Sequence, residues 1–349
     1  MSFKIGIVGL PNVGKSTLFK AITKKQIEIE NYPFCTIDPN VGVVEVPDER
    51  LEKISAISES KKTIHTTIEF VDIAGLIADA HQGKGLGNKF LSNIREVDAI
   101  VEVLRDFHDK DVFHVDGSVD FKKDKETVNI ELIAADLQLV EKVQEKLKRE
   151  AKKGDKDTVF KVKTLEKIKK LLEEENMLYN IELGEKEREA VKELNFLTIK
   201  PIIYVKNVDK ADTSSDGEYL LMNTKVEAEL ADLPEEEVND YLHFFGIKES
   251  GLNKLIKESY RSLNLISFFT SGKEESRSWT VEKDSLAPVA GGRIHSDFEE
   301  KFIRAEVVSY DDFVDCNGWS EARQRGKAQD KGKDYVVKDG DVMLFKIGR

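Results

Sequence analysis

Eight residues near the N-terminus constrain this chain more than any other stretch: Gly9-Leu10-Pro11-Asn12-Val13-Gly14-Lys15-Ser16. Their spacing is the P-loop pattern G-x-x-x-x-G-K-[ST]. Phe3-Lys4-Ile5-Gly6-Ile7-Val8 ahead of it reads as a buried strand, and Thr17-Leu18-Phe19-Lys20-Ala21-Ile22 behind it as an opening helix. Glycines let the backbone curl so that N–H groups across Asn12, Val13, Gly14, Lys15, Ser16 and Thr17 point at phosphate oxygens. Lys15 adds a charge against the β- and γ-phosphates, where hydrolysis needs it, and the Ser16 hydroxyl is a ligand for Mg²⁺. The fold class this dictates is α/β: a strand–loop–helix nucleotide domain.

Downstream segments extend that reading. Val41–Val46 is a strand, Asp48–Ser58 a helix, and Thr66–Asp72 a strand of β-branched and aromatic residues. The last runs into Asp72-Ile73-Ala74-Gly75-Leu76. An aspartate at a strand end followed by x-x-Gly completes a P-loop site: Asp72 holds Mg²⁺ through water and the Gly75 N–H reaches the γ-phosphate. The run Gly83-Lys84-Gly85-Leu86-Gly87 reads either as a switch segment that orders around the γ-phosphate or as a plain solvent loop. Phe90–Arg95 starts a helix and Ala99–Leu104 is a further strand.

From about residue 126 the pattern becomes helical. Ile130, Ile133, Leu137, Val140, Val143 and Leu147 form one apolar stripe, and Val162, Leu165, Ile168 and Leu172 a second. A polar turn, Lys152 to Asp157, separates them, which predicts an antiparallel, coiled-coil-like hairpin. Residues 141–170 carry twelve Lys/Arg against six Asp/Glu, in a chain whose formal net charge is -12. That basic hairpin is either a contact for RNA phosphates or a solvated helical face. Pro201–Asn207 returns to a buried strand, so the hairpin is an insertion. From Ser267 onward short strands and Gly-Asp turns predict a small α+β module. The expected division is therefore residues 1–125 with 200–264, an insertion over 126–199, and a C-terminal domain over 265–349.

At 349 residues, two to three domains are expected. The acidic balance excludes a wholesale nucleic-acid coat. No apolar run is of membrane-spanning length, and the N-terminus passes straight into a strand, so no signal peptide and no membrane partner are expected. Cys35 and Cys316 form no metal-type spacing, in keeping with a reduced, cytoplasmic protein.

Taken together these blocks resemble the YchF family of Obg-related P-loop proteins, the Obg-like ATPases. The markers are Gly9–Ser16, Asn31-Tyr32-Pro33-Phe34-Cys35-Thr36, Phe70–Leu76, Gly83-x-Gly85-Leu86-Gly87-Asn88 and Gly154-Asp155-Lys156-Asp157. Near the end stand Ala287-Pro288, Ile294-His295, Asp297-Phe298-Glu299 and Asp334-Tyr335-Val336-Val337. The resemblance spans nearly the whole chain. It implies a G domain with a coiled-coil insertion and a C-terminal TGS domain. It also implies slow hydrolysis of ATP in preference to GTP, and a switch role on the ribosome, met through the large subunit and RNA by a monomer. Thr36 joins Ser16 as a direct Mg²⁺ ligand, with Asp72 behind them. By analogy with potassium-activated relatives, Asn12 is a ligand for K⁺; equally, it reads as a loop residue bonding its own backbone.

Leu76 stands where Ras-like enzymes place a glutamine that orients the attacking water. By resemblance His114 is the leading substitute and His81 the second, against a structural role for each. Phe107, by family analogy, packs on the base. A guanine-specific site carries N-K-x-D and the family N-x-x-E; here Asn207-Val208-Asp209-Lys210 puts a lysine, with no acceptor, at the last position. Asn207 and Val208 remain base-side residues, and strict guanine selection is not expected. Between Asn207 and Tyr219 no apolar helical stripe occurs, so a bare loop is predicted where a crossover helix normally runs. Two other readings stand beside the ATPase: a GTP-dependent translation or assembly factor, and a nucleotide-gated binding module with incidental hydrolysis.

Overall fold

In a computed structural model the protein is described at residues 3–26, 39–73, 88–109, 112, 119–151, 155–210 and 215–348. The chain runs β1 (Phe3–Val8), α1 (Lys15–Lys24), β2 (Val41–Glu45), α2 (Glu49–Ser58), β3 (Thr63–Ile64), β4 (Thr67–Asp72), α3 (Asn88–Arg95) and β5 (Ala99–Asp106). Next come α4 (Phe121–Ala151), α5 (Lys156–Glu173), α6 (Glu185–Val191), β6 (Ile202–Val208), β7 (Ser215–Asp216), β8 (Tyr219–Met222), α7 (Thr224–Leu230), α8 (Glu235–Phe244) and α9 (Gly251–Ser262). The last part holds β9 (Leu265–Ser271), β10 (Ser276–Glu282), α10 (Ala287–Ile294), α11 (Ser296–Glu300), β11 (Phe302–Ser309), α12 (Tyr310–Asp315), α13 (Trp319–Gln324), β12 (Gln329–Lys331) and β13 (Asp341–Ile347). None of the described helices is long and apolar enough to cross a membrane.

The chain forms two compact units, Phe3–Gly42 with Glu69–Leu252, and Val43–Ile68 with Asn253–Arg349. The nucleotide-domain sheet has the order β2-β4-β1-β5-β6-β8-β7. Its centre is parallel: Ile5 pairs with Ala99, Ile100 with Ile202 and Tyr204 with Tyr219. Residues 99–105 of β5 and 202–207 of β6 are buried throughout. Such continuous burial is what a parallel sheet covered on both faces requires.

The connection from β6 to β8 departs from a bare loop. No helix forms there among the described residues. Instead Ser215-Asp216 makes the two-residue strand β7, which turns through Gly217 (φ 64°) and pairs antiparallel with β8 at the sheet edge. The chain thus overshoots the site of β8 and folds back, so that β8 lies parallel to β6 without a helical crossover. Residues 211–214 lie outside the described set.

Helices α4 and α5 pack on each other. Asp155 caps α5, its carboxylate accepting from the Thr158 N–H at 2.9 Å. The buried side of α4 is offset from the apolar stripe read in the sequence. Ile130 is 53% exposed, while Val128, Leu132, Ile133, Asp136, Val140 and Gln144 are buried. Two polar residues in that series hide it from a hydropathy reading. Asp136 accepts from both the N–H and the hydroxyl of Thr198, each at 2.8 Å, and stands 3.5 Å from Arg95 at the end of α3. Burial raises its pKa.

In the other unit a six-stranded sheet has the order β12-β11-β13-β9-β10-β3. Residues 43–68, expected with the N-terminal segment, belong to this unit. Leu51 and Ile54 of α2 share a core with Phe269, Val308, Phe313, Cys316 and Val342, and β3 pairs with β10. Arg50 is clamped between Asp48 and Asp339 and lies over the Phe269 ring, and the two carboxylates raise its pKa. His295 has a structural task here: its Nδ1 accepts from the Asp297 N–H at 3.1 Å and caps α11.

Candidate functional site

The loop after β1 is shaped by backbone angles that few residues tolerate. Gly9 has φ 143° and Gly14 φ 107°, in the region that L side chains avoid. A Cβ on Gly14 would fall on the Asn207 amide, so the glycine also permits a close approach. Asn12 shares the left-handed region with φ 62°, which asparagine tolerates better than most residues. Helix α1 starts at Lys15 with no side-chain cap and no acidic residue in its first turn. Its N-terminal N–H groups and dipole therefore favour an anion.

Lys15 is 8% exposed, and its Nζ donates to the Leu10 carbonyl at 2.6 Å. Burial lowers its pKa to about 8, with the Asp72 carboxylate opposing the shift. A buried ammonium held by one carbonyl and a neighbouring carboxylate is poised to exchange that carbonyl for phosphate oxygens. Ser16 is exposed on the cavity wall, and Asp72 ends β4. Hydroxyl and carboxylate oxygens are the donor types a hard divalent cation takes.

The cavity above this loop measures about 280 Å³. One side is Asn12, Gly14, Lys15, Ser16 and Thr17; the other is Phe107, Val112, Asn207, Val208, Asp209, Asn223, Thr224 and Lys225. Val13 is fully buried beneath, its carbonyl accepting from Asn207 Nδ2 at 2.9 Å. Asn207 Oδ1 accepts from the Thr224 N–H at 3.1 Å. The Asn207 amide therefore ties the P-loop to the start of α7, and both of its ends are engaged within the protein. Asn223 caps α7 and donates through Nδ2 to the Asp209 carbonyl at 2.9 Å. Arg105 lies 4.5 Å over the Phe107 ring and donates to the Val112 carbonyl at 3.0 Å, fixing the chain that follows β5.

Of the residues expected at the phosphate end, Asn12, Val13, Gly14, Lys15, Ser16 and Thr17 come together here; at the base end Phe107, Asn207 and Val208 do. Thr36, Gly75, Leu76, His81 and His114 lie outside the described residues. Lys210 is exposed and is not among the cavity-lining residues. Its neighbour Asp209 is, with Oδ2 accepting from the His108 N–H at 3.1 Å. A carboxylate acceptor thus stands on the base side one residue earlier than motif spacing suggests. The cavity wall from Asn223 to Lys225 carried one local signal: an Asn-Thr pair after an apolar strand and before a helix, the pattern of an N-cap.

Residues 4–135 match the family model described as 50S ribosome-binding GTPase, and residues 265–348 match the YchF-GTPase C-terminal model, described as protein of unknown function (DUF933). The chain is 49% identical over 362 residues to a protein of Haemophilus ducreyi named ribosome-binding ATPase YchF, covering 99% of each chain. It is 48% identical to the protein of that name from Bacillus subtilis, covering 99% of this chain and 100% of that one. The solved structure titled as the Schizosaccharomyces pombe YchF GTPase superposes with a TM-score of 0.88 at 36% identity, covering 99% of this chain and 98% of the other. With a P-loop site of this build and identity close to one half over its whole length, the chain belongs to the YchF family.

Proposed function

We propose that this protein is a ribosome-associated ATPase that binds ATP in preference to GTP, hydrolyses it slowly, and switches conformation with nucleotide state. The observation that supports the reading most is the buried Lys15 ammonium in the P-loop, beside a cavity of about 280 Å³ with an aromatic base side. The names of relatives support ATP and the ribosome. Ser16 and Thr36 would hold Mg²⁺ directly, with Asp72 behind them through water, and Asn12 would hold K⁺. The metal, when bound, spreads the charge of the β- and γ-phosphates. The chain's own contribution is to fix the phosphates with the P-loop N–H groups and Lys15, and the base with Phe107.

Because Leu76 cannot orient water, His114 is assigned that work. The basic helices α4 and α5 and the C-terminal unit, read as a TGS domain, are the surfaces proposed to meet RNA of the large ribosomal subunit. The protein is proposed to act as a cytoplasmic monomer. Competition of unlabelled ATP and GTP against a fluorescent ATP analogue, with and without Mg²⁺, K⁺ and ribosomes, tests the reading. Tighter ATP binding and nucleotide-dependent cosedimentation with ribosomes are expected. Equal ribosome binding by wild type and Lys15→Ala, with and without nucleotide, would refute the switch. A His114→Ala protein that binds ATP normally and hydrolyses it at the wild-type rate would refute the catalytic assignment.

One observation favours the GTP-dependent factor as second reading. Asp209 presents a carboxylate on the base side, and a carboxylate can accept from guanine N1–H and N2–H₂. The same competition decides between the two.

A further inference from the structure

Helix α8 carries an exposed aromatic face in acidic surroundings. Phe244 is 82% exposed, the most exposed large apolar side chain among the described residues, and Phe245 is 50% exposed. With Tyr241 they form one cluster: the Tyr241 and Phe245 rings lie 4.7 Å apart, and Phe244 meets Phe245 edge-on at 5.1 Å. This is not a helix that failed to find a core. Leu242 of α8 is buried with Leu230 of α7 and with Ile247, and Val238 and Tyr241 pack against the same core, so α8 is anchored on α7. Single exposed apolar residues are ordinary on protein surfaces, whereas adjoining exposed aromatics such as Phe244 and Phe245 mark an interaction site.

Along α7 and α8 the chain is acidic, with Lys225 and Lys248 flanking the stretch. Between Val226 and Ile247 there are seven Asp/Glu and no Lys or Arg. Glu227 is spent inside the fold, capping α9 through the Gly251 and Leu252 N–H groups, and Asp232 is paired with Lys24. Glu236, Glu237 and Asp240 stand exposed on α8. Asp240 precedes Phe244 by four residues, and Glu237 precedes Tyr241 by four, so acid and ring share a helix face one turn apart. The Tyr241 hydroxyl donates to Glu229 Oε2 at 3.2 Å, fixing its ring.

We infer that this face of α8 docks a lysine- and arginine-rich protein segment, whose cations lie over Phe244 and Phe245 and against Glu237 and Asp240. An aromatic face attracts a cation, and a carboxylate one turn away completes its neutralisation. A nucleic acid is disfavoured by the same acids, which repel phosphate. No α8 residue lines the nucleotide cavity, so the two surfaces do not overlap.

The test uses the full chain and a fluorescein-labelled peptide of alternating Arg and Leu, read by fluorescence anisotropy. The double variant Phe244→Ser, Phe245→Ser keeps every charge, yet its affinity for the peptide should fall about tenfold. Asp240→Asn should weaken binding severalfold, and added salt should weaken both. Basal ATP hydrolysis and the thermal melt serve as controls for the fold. If the double variant melts early, Phe244→Ser alone, at a solvent-exposed ring, gives the same reading. Equal peptide affinity of variant and wild type would reduce the attraction to general acidity and overturn the site. Stronger, aromatic-dependent binding of an oligouridine RNA would overturn the assignment to a basic protein. A wild-type dimer by sedimentation that the variant converts to monomer would give the face to a second copy of this chain, and overturn it likewise.

Discussion

Replacing Lys15 by Met should make the nucleotide-free protein more stable while abolishing its affinity for ATP. Burial lowers the Lys15 pKa from 10.5 to about 8. Each pKa unit is worth about 1.4 kcal/mol, so the buried charge costs the folded state about 3 kcal/mol at pH 7. Met fills a similar volume without a charge. Against that gain, the Leu10 carbonyl loses its 2.6 Å partner, which costs about 1–2 kcal/mol. The net expectation is about 1–2 kcal/mol of stabilisation. The sign has a pH signature. The folded pKa lies below the unfolded one, so the unfolded chain binds more protons between pH 8 and pH 10.5. The penalty is fully present below pH 8 and fades as pH rises through that window. Urea melts of wild type and Lys15→Met should therefore converge from pH 8 upward and cross before pH 10.5, where only the lost hydrogen bond remains. Trp279 and Trp319 both belong to the other compact unit, so the melts are followed by far-UV circular dichroism and by hydrogen exchange in α1. A variant less stable than wild type at pH 7, or a difference that stays flat between pH 8 and pH 10.5, would refute the reasoning.

Asn207→Ala should lower both stability and ATP affinity, because it leaves the Val13 carbonyl and the Thr224 N–H buried without partners. A loss of about 2–4 kcal/mol is expected in urea melts. Asn207→Asp should be worse than Ala, since a carboxylate would face the Val13 carbonyl where an amide N–H now donates. Glu102 is fully buried on β5 with neither carboxylate oxygen bonded, and burial pushes its pKa well up. Its folded pKa exceeds the unfolded one, so stability is lost as pH rises from the ordinary carboxylate range through the folded value. Glu102→Gln should remove that loss and melt later than wild type at alkaline pH by circular dichroism. Lys210→Asp restores the letter of the guanine motif, but its side chain stands outside the cavity, so competition binding should give an unchanged ATP-to-GTP ratio. Asp209→Asn should shift that ratio, because it changes an acceptor on the cavity wall.

The contrast between Lys210 and Asp209 says why parts of this site were legible in the sequence and others were not. Where a residue type answers a local backbone demand, the letters suffice. Gly9 and Gly14 take dihedrals that side chains avoid, β5 and β6 open on the apolar runs Ala99–Val101 and Ile202–Val205, and Asp48 and Asp155 announce the helices they cap. Where the answer comes from a distant neighbour, they do not. Leu51 and Ile54 mark an apolar helix face, but nothing in their spacing says that Phe269 and Phe313 will cover it. Asp136 and Gln144 read as solvent positions until Thr198 supplies a partner for the aspartate. The crossover to β8 read as a bare loop because a helix was the expected alternative, while the chain used an edge strand, β7. The base side of the cavity belongs to this second kind. Asp209 is held by the backbone of His108, Asn223 by the carbonyl of Asp209, and Asn207 by Val13 and Thr224. Four segments from separate parts of the chain thus position one another. A four-residue motif records only one of them, and the residue at position 210 is not among those that line the cavity.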